Sequence, residues 1–188
     1  MLLRFLTPGL LTLLLTANAV AQDPHVFSDY KKQLKATLVY TDKMFLLRSP
    51  AQNIDAEFNF RLRDKATRPQ PERVDLMVTA TALKPRYEKS RAADLLIVVD
   101  GVPLRTEKIL YLVLHSDNTI PFERVKPFAA RTRLEPTGYL EMITVYLDPL
   151  EAKKLAGAKT VKLRIGKDEL AFSEVQMNTV RDFATRIP

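Results

Sequence analysis

Apolar and polar residues alternate along much of this sequence, and a period of two is typical of β-strands with one buried face. The clearest case is residues 54–62, where the apolar positions are Ile54, Ala56, Phe58, Phe60 and Leu62 and the intervening ones Asp55, Glu57, Asn59 and Arg61. Residues 74–80 repeat the pattern, with Asp75 and Thr79 at polar positions. We therefore expect these polar positions to face water while the apolar ones form a core.

Further strands are predicted at residues 34–40, 44–47, 109–114 and 139–147. Residues 95–99 are apolar throughout, which is typical of a central strand covered on both faces. Asp100-Gly101 follows them and predicts a hairpin, because a type I′ turn needs positive φ at both central residues. Pro103 has no N–H to donate, so the returning strand should lie at an edge.

Two helices are predicted near the end of the sequence. Asp148 is a helix N-cap before Pro149, with Glu151 placed to close a capping box and Gly157 at the end. After a predicted hairpin over residues 161–172, Ser173 and Gln176 form a second capping box. The helix that follows carries an apolar stripe, made of Val180, Phe183, Ala184 and Ile187.

Together these elements predict a mainly β fold: a single β-sandwich or strongly curved antiparallel sheet, with a short helix and a C-terminal helix packed on it.

The first 21 residues have the three parts of a signal peptide. Arg4 gives a positive start, a leucine-rich stretch follows, and Ala19-Val20-Ala21 fits a cleavage site. The apolar run is too short for a membrane span, so we expect no transmembrane segment after cleavage. The predicted organisation is a signal peptide over 1–21, an N-terminal tail over 22–33 and one β-rich domain over 34–188. The mature protein is expected to be periplasmic or secreted.

No reactive set of residues with credible spacing emerges. Ser28 to Lys31 matches S-x-x-K and Ser116 to Asn118 matches S-D-N, two motifs of serine acyl-transfer enzymes. The third motif fails, because Lys159-Thr160 is followed by Val161 rather than glycine. We therefore predict no catalytic residue, although an exported hydrolase with another Ser, Asp or Glu site remains the alternative.

Metal and cofactor chemistry is not predicted either. The chain has no cysteine and two histidines, His25 and His115, too few for a histidine zinc site. Glu141 alternates with Leu140 and Met142, and on that pattern we expect its side chain on the outer face of its strand. No cofactor or metal ligand is therefore assigned.

Positive charge is concentrated in one part of the chain. Residues 61–91 hold nine Lys and Arg against four Asp and Glu, and a second basic loop spans residues 124–133. If the fold gathers these loops, Arg86, Lys89, Arg131 and Arg133 are candidates for binding an anionic partner. The alternative is that the loops are only a solvated surface.

These features predict a non-catalytic binding, structural or accessory domain of the bacterial envelope. Its partner would be an envelope protein or an anionic lipid or glycan. No nucleic acid is expected, because the sequence has no recognisable nucleic-acid-binding module.

Overall fold

The alternating segments fold into two antiparallel sheets in a computed structural model that describes residues 24–49, 51–63, 71–82, 84, 86–87, 94–115 and 138–188. Within these residues the strands are β1 Val26–Lys31, β2 Ala36–Thr41, β3 Met44–Ser49, β4 Gln52–Arg63, β5 Val74–Ala82, β6 Leu96–Val99, β7 Val102–Pro103, β8 Lys108–His115, β9 Tyr139–Leu147, β10 Val161–Ile165 and β11 Asp168–Ala171. The helices are α1 Pro149–Lys153 and α2 Glu174–Thr185. Short 3-10 helices span Lys32–Leu34 and Lys154–Gly157.

The large sheet has the order β1-β2-β4-β5-β9-β8, and β3 also pairs with β4. Strands β2 and β3 lie end to end along the long β4, since Tyr40 pairs with Asn59 and Met44 with Ala56. At the break between them, the Thr41 hydroxyl oxygen accepts the Phe58 N–H at 3.0 Å. One long strand is thus held by two shorter ones.

The small sheet has the order β11-β10-β6-β7. The predicted hairpin is confirmed, because β6 pairs with β7 and both Asp100 and Gly101 have positive φ. Pro103 lies on the edge strand, as expected. The prediction that residues 95–99 are covered on both faces is wrong: Ile97 is buried, but Leu96 is 38% exposed. Only one face of the small sheet contributes to the core.

Helix α2 closes the core above β4. The Phe183 ring lies 5.5 Å from that of Phe58 and 5.2 Å from that of Phe60, centroid to centroid. The predicted capping box between Ser173 and Gln176 is confirmed. All four residues of the predicted stripe are buried, namely Val180, Phe183, Ala184 and Ile187.

The start of α1 matches the prediction in part. Asp148 caps the helix by accepting the Leu150 N–H at 2.7 Å. Glu151 does not close a capping box but binds the Lys154 ammonium at 2.6 Å instead. The competing cation one turn further on explains the difference.

The predicted fold class is confirmed: the domain is mainly β, with two antiparallel sheets, a short helix and a C-terminal helix. The large sheet begins earlier than the sequence pattern indicates, because β1 lies within the segment 22–33 that the sequence predicts as a tail. In the part of the chain that the structure describes, no helix is long and apolar enough to cross a bilayer.

Candidate functional site

Three side chains expected to face water on the large sheet are buried. Asp55 is 5% exposed and Thr79 4%, and Glu57 is also buried. These side chains lie on the face of the sheet opposite Phe58, as the alternation predicts. They are nevertheless buried, because they lie in the middle of the sheet rather than at a solvent-exposed edge. Burial raises the pKa of Asp55, and the Lys43 ammonium at 3.7 Å opposes this rise.

Glu141 is the most informative departure from the sequence prediction. Its side chain is 1% exposed, so the expectation of an outward-facing residue is wrong. Register places Glu141 opposite Ala80, on the same face as Ile143 and Val145, which belong to the core. The error arises because residues 139–147 carry apolar side chains at both parities, and Leu140 and Met142 take the other face.

The Glu141 carboxylate accepts three hydrogen bonds. Oε2 accepts the backbone N–H of Arg86 at 2.6 Å, and Oε1 accepts that of Tyr87 at 2.8 Å. The Tyr111 hydroxyl donates to Oε1 at 2.7 Å and also contacts the Tyr87 carbonyl oxygen. One carboxylate thereby fixes residues 86–87 against β8 and β9.

The Arg86 side chain extends this cluster to the small sheet. Its guanidinium donates to Asp168 on β11 at 2.8 to 2.9 Å, to the Tyr87 hydroxyl at 3.2 Å and to the Gln52 side-chain oxygen. We call Gln52, Arg86, Tyr87, Tyr111, Glu141 and Asp168 the Glu141 cluster. It joins the two sheets through groups that satisfy one another, which is the arrangement that a buried polar network needs to be stable.

The Glu141 cluster predicts a specific alkaline response. Burial raises the pKa of Tyr87 to about 12 from its ordinary value near 10, and the Arg86 charge opposes this rise. Because the phenol binds its proton more tightly in the folded state, its contribution is complete below pH 10 and is lost between about pH 10 and 12. The free energy of unfolding should fall by up to roughly 3 kcal/mol over that range.

Equilibrium denaturation at a series of alkaline pH values measures this slope. Tyr87→Phe removes the titrating proton, so its slope should be shallower than that of the wild type. Equal slopes would show that Tyr87 titrates normally in the folded protein.

Arg86 is the one described residue among the four that the sequence proposes for anion binding. Its guanidinium binds Asp168 and Gln52 and is about 25% exposed, so much of its charge is directed inward. Lys89, Arg131 and Arg133 lie outside the described residues, and the convergence of their loops stays a prediction.

Another part of the basic stretch 61–91 does gather into a cavity. A cleft of about 330 Å³ lies across β2, β4 and the start of β5, with three arginines in its wall. We call it the arginine cleft; the described residues that line it are Leu38, Asn59, Phe60, Arg61, Arg63, Glu72, Arg73 and Asp75. Strand register explains the gathering, because residues 61 and 63 end β4 just where residue 73 leads into β5.

The three arginines differ in how firmly they are held. Arg73 donates to Asp75 at 2.8 Å, and its guanidinium carbon lies 3.9 Å from the centre of the Tyr146 ring. Arg63 lies 2.7 Å from Glu72, but both side chains are more than 70% exposed, and such pairs are weak. Arg61 forms no ion pair or hydrogen bond with any residue that the structure describes.

Asp75 balances part of this positive charge. Burial raises its pKa, while the charges of Arg73 and Arg61 oppose that rise. With Glu72 it gives the cleft wall two carboxylates against three guanidinium groups. Counted over its described lining residues, the arginine cleft is therefore a mixed site with an excess of one positive charge.

The S-x-x-K motif does not lie at the start of a helix, which is the position that acyl-transfer enzymes require. Ser28 lies in strand β1 opposite Val39, whereas the S-x-x-K serine must open a helix. Ser116 to Asn118 lie outside the described residues.

His25 is exposed, and its Nδ1 lies 3.9 Å from Asp42. Across the described ranges, no group of three or more His, Cys, Asp or Glu side chains could hold a metal ion.

Comparison with protein-family models, with curated proteins and with solved structures finds no match to this chain.

Proposed function

We propose that this protein is an exported, non-catalytic domain of the bacterial envelope that binds an anionic partner through the arginine cleft. The observation that carries the proposal is the gathering of Arg61, Arg63 and Arg73 around one cavity. Guanidinium groups bind carboxylates and phosphates through paired hydrogen bonds, so three of them around a cavity favour an anionic ligand.

The state of these arginines supports binding rather than a purely structural role. Arg73 is fixed by Asp75 and Tyr146, so it offers a positioned donor at little cost in side-chain entropy. Arg63 is held only by an exposed pair with Glu72, which an incoming anion can replace. Arg61 interacts with Asp75 only through its charge, and none of its N–H donors is used by a described residue, so these can bind a ligand.

The Glu141 cluster argues against a catalytic role for the most deeply buried polar groups. Burial raises the pKa of the Tyr87 phenol to about 12, so it is less easily ionised than an ordinary tyrosine and less suited to act as a base. The Glu141 carboxylate is occupied by three donors, and the Arg86 guanidinium faces Asp168. These groups support the fold, and the surface arginines support binding.

Inorganic phosphate is the simplest probe of this function. Two-dimensional NMR of the mature chain, beginning at Gln22, should show phosphate-induced shifts clustered at Arg61, Arg63 and Arg73. The apparent Kd should rise with added sodium chloride, because exposed charges are screened over about 10 Å at 0.1 M salt.

Replacing both Arg61 and Arg63 by serine should weaken phosphate binding about tenfold or more. Arg164→Ser combined with Lys167→Ser is the matched control, since both residues are exposed, on β10 and in the turn that follows it, and their loss removes the same two positive charges. The control should bind phosphate as the wild type does. Equal binding by the double variant would contradict the proposal and leave the arginines as a solvated surface.

A further inference from the structure

Two stacked rings, Phe27 and Tyr40, extend the arginine cleft toward the edge of the large sheet, and we call them the aromatic row. Cross-strand pairs place Phe27 beside Tyr40, Tyr40 beside Asn59, and Asn59 beside Asp75. The Phe27 and Tyr40 rings stack at 5.3 Å with an angle of 26° between their planes. Phe27 is 39% exposed on its edge strand, so part of its ring is open to a ligand.

The row and the arginines lie within reach of one small ligand. From a strand spacing of about 4.8 Å and a rise of about 3.4 Å per residue, the Cα atoms of Tyr40 and Arg61 are about 8 Å apart and those of Phe27 and Arg61 about 12 Å apart. An arginine side chain can shorten these distances by several ångströms. A ligand about the size of a disaccharide can therefore touch the aromatic row and an arginine together.

Carboxylates are interleaved with the arginines along this surface. Asp29 accepts the Tyr40 hydroxyl at 3.0 Å and the Lys31 ammonium at 3.1 Å, while Glu72 and Asp75 line the cleft itself. A ligand with many adjacent negative charges, such as a nucleic acid backbone or an anionic bilayer, would have to place some of them beside these carboxylates, which disfavours it. A ligand with many hydroxyls would be attracted, because carboxylates and Asn59 accept hydrogen bonds from hydroxyl groups.

We infer that the ligand of the arginine cleft is an acidic glycan, with its sugar rings against Phe27 and Tyr40 and a phosphate or carboxylate group on the arginines. This inference rests on the proposed function. The apolar C–H face of a sugar ring packs on the face of an aromatic ring, and the hydroxyls at its rim bind the polar groups alongside. One surface thus offers aromatic rings for the sugar rings, carboxylates and Asn59 for the hydroxyls, and arginines for the anionic group.

Trehalose 6-phosphate tests this inference, with inorganic phosphate and neutral trehalose as reference ligands. Isothermal titration calorimetry should give the sugar phosphate an affinity about five- to tenfold higher than that of inorganic phosphate, the gain expected from one aromatic contact. Trehalose alone should bind more weakly than the sugar phosphate. Phe27→Ala should bring the ratio of the two phosphate affinities close to one.

Phe45→Ala is the matched control, because Phe45 is also an exposed phenylalanine of the large sheet, on β3 away from the cleft. It should leave that ratio unchanged. Equal affinities for phosphate and sugar phosphate in the wild type would overturn the glycan inference while the proposed anion-binding function stands.

Two further ligands separate the remaining classes of partner. Phosphatidylglycerol vesicles or a single-stranded oligothymidylate that displaced phosphate from the cleft and bound more tightly than the sugar phosphate would overturn the inference in favour of a membrane or a nucleic acid. Failure of inorganic phosphate to bind at all would overturn the proposed function itself.

Discussion

Replacing Phe183 by alanine should lower the free energy of unfolding by about 3 to 5 kcal/mol, the cost of truncating a large buried aromatic side chain. The Phe183 ring is fully buried between α2 and β4, where it contacts Phe58 and Phe60. Its loss leaves a cavity at the junction of helix and sheet. Urea denaturation followed by circular dichroism measures the change.

Val175→Ala provides the control for Phe183→Ala. Val175 is an apolar residue of the same helix but is 46% exposed, so its truncation should change stability by less than about 1 kcal/mol. Arg181 is a poorer control, because its guanidinium donates to the Ala158 carbonyl oxygen at 2.8 Å. If Phe183→Ala denatured at the wild-type midpoint, α2 would not be docked on β4.

Glu141→Gln should cost about 2 to 4 kcal/mol even though it hardly changes the size of the side chain. Each carboxylate oxygen accepts a backbone N–H, one from Arg86 and one from Tyr87. The glutamine amide has only one acceptor oxygen, so its NH₂ group must face one of these donors and leave it unsatisfied. Equilibrium denaturation at neutral pH measures the loss.

Glu169→Gln is the control for Glu141→Gln, because it makes the same substitution at an exposed site. Glu169 binds Lys162 at 2.6 Å, but its side chain is about half exposed, and solvent screens such a pair so that it contributes little to stability. A Glu141→Gln variant as stable as Glu169→Gln would show that the carboxylate is not a required acceptor. Both substitutions remove the same charge, so the difference between them measures the burial of Glu141 together with its hydrogen bonds to residues 86, 87 and 111.

Local sequence signals predict the parts of the fold that local physics determines. The Asp100-Gly101 turn, the Asp148 N-cap and the Ser173 capping box each depend on residues within a few positions of one another. Period-two alternation likewise predicts the strands containing Phe58 and Leu76. Such features need no knowledge of which strand pairs with which.

The interiors of the sheets required information that alternation does not carry. Strand β9 is apolar at both parities, so the pattern could not decide whether Glu141 or Met142 faces the core. Asp55 alternates correctly, yet its burial depends on its central place between β3 and β5. A polar side chain is exposed only where no neighbour covers it, and that depends on strand order.

The candidate site was predicted in part. Net charge marks residues 61–91 as basic, and the arginine cleft lies largely there, but the four residues that the sequence proposes do not include Arg61, Arg63 or Arg73. Their proximity follows from the pairing of β4 with β5 across the connection between them. The contribution of Phe27 depends on the pairing of β1 with β2, in a segment that the sequence predicts as a tail.

The order of strands along the chain has a consequence for folding kinetics. Strands β6 and β7 of the small sheet precede β8 and β9 of the large sheet, while β10, the partner of β6, follows them. Val99 therefore finds Val161 only by closing a long loop that contains both remaining strands of the other sheet. Such non-local pairing carries a high contact order, and domains of this kind fold over milliseconds to seconds rather than microseconds. The hairpin of β4 and β5 can form early, but the small sheet must wait for its last two strands.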